Sequence, residues 1–329
     1  MNRCSLNIML TLLLLFIGIT NGFTQVNKDT MNCVYKFPHR ITFKTYFSSS
    51  DLYYTIRDKD AKYKPAVIIP NSRNNLGFSL SYKSLGASYS VRIEESPYSE
   101  RRFGKTKYYD FRLNYFYKIY GFDGYLQHYK GLYQKNPQSF YPNFSNTTPY
   151  PQFPNMAITT FGFNAIIKKN KCFSYKSIYY QSERQKHSVG SLVLMLNNRV
   201  SRIKNDNPYT PASAVKYMPE FSKCNKGTFL DFALAPGYVY TYVKNNYFIN
   251  GSMYAGLGEQ LQLYTRSNAV QLKFRPMFKY NFRATAGYNG DDFFYKISYD
   301  IDLNTIRFED SRQNILLSGL DFTVGLRIK

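Results

Sequence analysis

The chain of 329 residues is long enough for one large barrel or two ordinary domains. Its 33 Tyr and 27 Phe, with no Trp, load it with flat amphipathic rings, and 43 Lys plus Arg against 21 Asp plus Glu leave a net charge of +22. A surplus of that size asks for an anionic partner, but the cations are dispersed singly, with no compact basic run and no zinc-finger, helix-turn-helix or Gly-rich phosphate motif, which argues against nucleic acid.

Arg3 precedes the apolar stretch "IMLTLLLLFIGIT" (8 to 20), which is too short to span a bilayer and is followed by small residues. Residues 1–22 are therefore expected to be a secretory signal peptide, cleaved after Gly22 or Thr24. Past it remain Cys33, Cys172 and Cys224, an odd number that speaks against a disulfide framework, although one pair could oxidise. Nowhere later is there a run of about 18 apolar residues, so no transmembrane helix is expected.

Residues 23–62 read as an N-terminal segment with one or two possible strands, and residues 63–329 as the main domain. In "LGFSLSYKSLGASYSVRI" (76 to 93), Leu76, Phe78, Leu80 and Tyr82 fall on one strand face and Ser79, Ser81 and Lys83 on the other. A Ser-Leu-Gly turn follows, then Ala87, Tyr89, Val91 and Ile93 against Ser88, Ser90 and Arg92, which makes a hairpin. Phe111, Leu113, Tyr115 and Tyr117 alternate with Asp110, Arg112 and Asn114. Leu230, Phe232, Leu234, Tyr238, Tyr240 and Tyr242 oppose Asp231, Ala233, Gly237 and Thr241. The segment 247–264 continues the pattern, with Glu259 breaking it on the apolar side.

The stretch "VQLKFRPMFKYNFRATAGY" (270 to 288) alternates for about three times the usual strand length of 5 or 6 residues. Its apolar set is Val270, Leu272, Phe274, Phe278, Tyr280, Phe282, Ala284 and Tyr288, and its polar set includes Lys273, Arg275, Lys279 and Arg283. Residues 293–304 then set Phe293, Tyr295, Ile297, Tyr299, Ile301 and Leu303 against Lys296, Asp300 and Asp302, and residues 316–328 repeat the theme. A dry core could not accept these charges unpaired, because burying an isolated ion costs several kcal/mol. Strands this long, apolar outside and charged inside, suit a wall between lipid and enclosed water. A soluble sandwich would keep the same period but not the same length.

The fold expected is all-β: an antiparallel up-and-down transmembrane β-barrel of about 12 strands, with 10 to 14 allowed. Lys273, Arg275, Lys279, Arg283, Lys296, Asp300 and Asp302 are the lumen-facing candidates, giving a polar lumen of net positive character. Pro-, Asn- and Ser-rich stretches at 94–105, 136–155 and 204–227 read as loops. Counting about 12 strands from residue 75 onward, plus one or two in 40–57, puts the first two loops on one rim and the third on the other. That is a conflict located between residues 172 and 226.

Four stretches, "LGFSLSYKSLGASYSV", "YGFDGYLQHYKGLY", "KCFSYKSIYYQSERQKHSVGSL" and "PGYVYTYVKNNYF", resemble a family of outer-membrane barrels from Bacteroidota labelled domain of unknown function 4421. The resemblance spans roughly residues 63–329 and implies a bacterial outer-membrane barrel; it carries over no catalytic residue.

Chemistry by motif is sparse. His187 beside Ser188, with Glu183 near, invites a hydrolase reading, yet adjacent strand residues face opposite ways. No metal-ligand spacing or cofactor motif occurs, and no cofactor is expected. Asp300 and Asp302 share a face and are read as salt-bridged to Lys273, Arg275 and Arg283 of the preceding strand. Two roles remain open: a passive channel or structural barrel, or an enzyme or binder acting on lipopolysaccharide or glycan at the rim. Expected partners are outer-membrane lipid and lipopolysaccharide, with anionic solutes or glycans as further candidates.

Overall fold

The computed structural model describes residues 33–329 except 61, 63, 73, 142, 146–147, 209–214, 216–218, 220, 267–268 and 309. The expected signal peptide therefore lies outside the described residues. In chain order the elements begin with β1 (Val34–Lys36), β2 (Ile41–Asp58), β3 (Ala66–Pro70), β4 (Asn74–Tyr82) and β5 (Leu85–Arg92). They continue with α1 (Pro97–Phe103), β6 (Lys107–Tyr117), β7 (Tyr120–Gln134), β8 (Gln152–Lys168), α2 (Lys176–Tyr179) and β9 (Glu183–Gln185). The remainder is β10 (Val189–Lys204), β11 (Cys224–Lys244), β12 (Tyr247–Arg266), β13 (Ala269–Asn289), β14 (Phe293–Arg307) and β15 (Ser311–Ile328).

Among the described residues, twelve strands form the wall, each antiparallel to its neighbours: all except β1, β3 and β9. The wall closes where β15 pairs with β2, from Ile328 opposite Ile41 to Ser311 opposite Asp58. A closed wall leaves no edge whose backbone groups would lie unpaired in lipid. Following the register from Arg57 through Arg312 and Arg307, extended three residues past the Lys279–Asn304 pair to Pro276, then through Glu259, Phe232 and Phe163 once around the wall, returns to Phe43 on the same strand. That stagger is what strands inclined at about 40° to the barrel axis require.

One rim carries tight turns. Lys83, Lys118 and Asn245, with φ of 53°, 53° and 56°, occupy the two-residue connections β4–β5, β6–β7 and β11–β12 in the positive-φ conformation such hairpins need. The opposite rim carries the connections 59–73, 93–106, 135–151 and 205–223. All three predicted loops thus lie on one rim. The conflict vanishes because the chain between β8 and β10 adds no wall strand: it enters the barrel mouth and comes out at the same rim.

Two further expectations are corrected. The wall starts at Ile41, not near residue 63, because β2 is a full wall strand paired on both sides. Eleven wall strands, not twelve, therefore run from Asn74 onward. At the loop rim β3 bridges β2 and β7 directly, Tyr54 opposite Ile68 and Leu132 opposite Pro70, where β4, β5 and β6 have already ended. The handover is made at Gly131, whose φ of 85° suits glycine and where a Cβ would fall 2.1 Å from the Lys105 carbonyl oxygen.

The outer face of the wall is apolar over a continuous belt. Phe43, Phe78, Leu80, Phe161, Leu192, Leu234, Ile297 and Phe322 all point outward and are exposed, and Leu257 reaches 73 %. Left in water, a belt of that extent would far exceed the few hundred Å² a soluble monomer tolerates, so it faces hydrocarbon. Toward the turn rim the belt ends in aromatics, among them Tyr247, Tyr288 and Tyr295, whose rings pack at 5.2 and 5.7 Å. Such rings favour the bilayer interface because one end is wet and the other apolar.

Toward the loop rim the pattern inverts. On β2, Ile41, Phe43 and Phe47 face out, but farther along Leu52, Tyr54 and Ile56 are buried inside while Arg57 faces out. On β8, Phe161 and Phe163 face out while Met156 and Ile158 are buried. Beyond the lipid, the outside is water and the inside becomes the dry side.

Candidate functional site: an enclosed polar chamber

The inverted ends of the strands meet across the lumen. Leu52, Tyr54, Ile56, Ile68, Leu132, Met156, Ile158, Ile203, Phe229, Tyr264, Ile306 and Ile315 belong to one connected buried cluster, contributed from most of the wall. This layer fills the barrel on the loop side.

The turn side is filled by the chain between β8 and β10. Phe173, Tyr175, Ile178 and Tyr180 pack on the wall residues Phe116, Ile166, Val193, Met195, Ala235, Val239 and Tyr254. The Phe116 ring lies 5.0, 5.3 and 5.4 Å from Tyr175, Tyr179 and Tyr180. Burial raises all three tyrosine phenols above their ordinary range, so they stay neutral. Outside them β1 pairs with β9, and a Cys33–Cys172 disulfide ties the two segments together. One pair of the three cysteines is thus oxidised, and Cys224 is buried in the apolar layer.

Wall cations hold this plug. Lys296 donates to the Ile178 carbonyl at 2.8 Å, Lys44 to that of Tyr179, and Arg327 to that of Gln181 at 2.6 Å. The last carbonyls of a helical turn lack partners within it and carry partial negative charge, so ammonium and guanidinium groups suit them. Lys168 completes the set on the Phe173 carbonyl.

Between layer and plug lies a chamber of about 200 Å³. Lys279 reaches both oxygens of Asp302 at 2.6 Å and Asn304 at 3.2 Å. Arg283 lies 3.9 Å from Asp300. Arg112 pairs with Asp110 at 2.9 Å, and Gln127 donates to the same carboxylate at 2.6 Å. Asn164 donates to Asp123 at 3.3 Å. In the wall beside the chamber, the fully buried Arg199 and Asp231 are paired, with Gln260 donating to Asp231 at 2.6 Å.

Of the sequence candidates, Lys279, Arg283, Lys296, Asp300 and Asp302 line this chamber. Lys273 and Arg275 lie on the same face of β13 but nearer the loop rim, outside the chamber lining. The expected positive surplus of the lumen is not found in the chamber: its described lining holds five cations (Lys44, Arg112, Lys279, Arg283, Lys296) and five aspartates (Asp110, Asp123, Asp300, Asp302, Asp321). Opposite charges facing each other across neighbouring strands neutralise one another, and two of the cations are engaged by the plug. Lys44, Asp123 and Arg199 were not singled out in the sequence, and Asp231 was placed on a polar strand face without a partner; a charge at an inward position of a long alternating strand was the available signal.

The hydrolase grouping does not assemble. Ser188 Oγ accepts from the Val243 amide at 2.9 Å, while Glu183 accepts from Ser174 at 2.6 Å and pairs with Lys176 at 2.8 Å. His187 is exposed. Among the described residues no group of three or more His, Cys, Asp or Glu could hold a metal ion.

Fold and lumen together define a membrane-spanning, antiparallel β-barrel with a filled interior. The profile of the family described as Domain of unknown function (DUF4421) matches residues 27–327, and the chain belongs to that family. No curated protein matches it. Among solved structures it is similar to an outer membrane channel from Pseudomonas putida F1, at 10 % identity and TM-score 0.38, covering 91 % of this chain and 100 % of that one. It is also similar to the outer membrane protease OmpT from Escherichia coli, at 6 % identity and TM-score 0.36 over 88 % and 96 % of the two chains. A third likeness is to the beta domain of the Bordetella autotransporter BrkA, at 10 % identity and TM-score 0.37 over 86 % and 98 %. Likenesses this distant assign no role to the present chain.

Proposed function

We propose that the protein is a bacterial outer-membrane barrel whose lumen is closed, acting as a structural or binding barrel and not as a passive channel. The observation that carries this reading is the apolar layer on the loop side, in which Tyr54, Ile56, Ile68 and Met156 are each at most 1 % exposed. Hydrated ions do not cross a packed hydrocarbon layer, and the plug adds a second closure tied by a disulfide and by wall cations. The charge balance of the chamber removes the main reason for expecting anion selectivity.

The expected signal peptide and the membrane-facing belt support export to the outer membrane. In bacterial barrels short turns face the periplasm and long loops the exterior, which puts the plug on the periplasmic side. Incorporation into planar bilayers tests the reading: the intact barrel is expected to give no steady conductance. Steady conductance with anion preference would restore the channel. Extraction of the native protein by carbonate without detergent would overturn the membrane placement itself.

A further inference from the structure

The lysines and arginines that do not enter the lumen are not scattered evenly. Lys107 on β6 stands directly opposite Lys130 on β7, and Lys204 on β10 directly opposite Lys226 on β11. Lys130 and Lys204 are both registered with Ala157 of β8, so the four lysines and one alanine form a single row across five neighbouring strands. On the other side of the barrel Arg312 stands opposite both Arg57 and Arg307. All seven side chains point outward and are exposed.

Like charges facing each other across strands about 4.8 Å apart repel. Among the described residues, every same-sign pair in register in the wall is one of these, and none of the seven cations makes an ion pair. At the turn rim the outward lysines stand apart, Lys83 and Lys118 each over a tyrosine ring at 5.1 and 5.2 Å.

The height of the lysine row is set by what lies below it. Two positions inward from Lys107 and Lys130, Tyr109 stacks on His128 at 5.0 Å; Phe111 and the lipid belt follow. The row therefore sits just above the aromatic edge of the belt, where lipid headgroups lie. A phosphate oxygen shared between two facing ammonium groups replaces their repulsion by charge-assisted hydrogen bonds.

We infer that the loop-side rim is a binding site for the phosphate groups of outer-leaflet lipid headgroups, with the Lys107/Lys130 and Lys204/Lys226 pairs as its main clamps. This rests on the membrane placement proposed above but not on the closed lumen, whose failure would show as conductance and leave the lipid readout unchanged.

The test uses the full barrel in nanodiscs of phosphatidylcholine containing diphosphorylated lipid A, with bound lipid counted by native mass spectrometry. The wild-type barrel is expected to retain lipid A over phosphatidylcholine. In the variant carrying K107Q, K130Q, K204Q and K226Q that preference falls roughly tenfold, the scale of one or two cations at headgroup level. The K83Q/K118Q variant, which alters the turn rim, keeps it. Heat-modifiable gel mobility confirms that the variants are folded, as expected for exposed positions. Equal retention of both lipids by the wild type, an unchanged preference in the four-lysine variant, or equal loss in K83Q/K118Q would each overturn the site. So would complete displacement of lipid A by inorganic phosphate, which would make the clamps receptors for a free anion.

Discussion

At the loop end, Leu52, Tyr54, Ile56, Ile203 and Phe229 belong to the wall itself and meet across the lumen in one buried apolar cluster. At the turn end the lumen is filled by a separate length of chain, α2 and its flanks, held through its backbone carbonyls by Lys44, Lys296 and Arg327. The first closure cannot be undone without spoiling the wall. The second can be loosened while the wall stands, because its anchors are contacts between wall and insert together with a disulfide to the segment that precedes the wall. Stability should therefore be global at one end and local at the other.

The largest effect expected is that of Phe229→Ala, which removes a ring 1 % exposed at the heart of the layer and should lower unfolding free energy by about 4 kcal/mol. Urea titration of the barrel in detergent measures it; a loss below about 1 kcal/mol would mean that the layer is not a packed core. Next comes Arg199→Met, which strands the buried Asp231 carboxylate and should cost about 3 kcal/mol in the same titration. An unchanged midpoint would show that water reaches the pair from the chamber.

Reduction of the Cys33–Cys172 disulfide should act differently. Hydrogen exchange is expected to show residues 173–185 losing protection worth about 2 kcal/mol, while the wall amides keep theirs. Bilayers should stay silent, since the apolar layer is untouched. Current appearing on reduction would make the plug the true gate and reverse the comparison. Lys296→Met should produce a smaller version of the same local loosening, about 1.5 kcal/mol, by removing the donor to the Ile178 carbonyl. The smallest effect is expected outside the lumen. Glu259 faces outward between Leu257 and Leu261, so Glu259→Leu should stabilise the barrel by about 0.5 kcal/mol in urea titration.

Much of the wall could be read from alternation alone. In residues 270–288 the apolar set identified from the sequence is the outward set of β13, and the polar set is the inward one. The inversion on β2 was also present in "ITFKTYFSSSDLYYTIRD", where apolar residues move from odd to even positions after Phe47. It was hard to interpret, because a change of phase looks the same whether a strand has ended, slipped by one residue or left the bilayer. Residues 171–187 have no period of two, and nothing local says that Phe173, Tyr175 and Ile178 turn into the barrel. The chamber was half legible: of the partners expected for Asp300 and Asp302, Arg283 lies beside Asp300, but Lys273 and Arg275 sit nearer the loop rim and Asp302 is held by Lys279. Arg112 with Asp110 needed the actual curvature of the wall to face them.

By itself the sequence determined that long strands would present grease on one side and charge on the other, because side chains along an extended chain must alternate and each face must match its solvent. Whether the charged side would line an open pore was a different matter. Only the tertiary structure decided that, by bringing the apolar ends of many strands together across the lumen and seating α2 in the opposite mouth. Contacts between residues so far apart in the chain depend on closure and stagger of the whole wall, which no local pattern encodes.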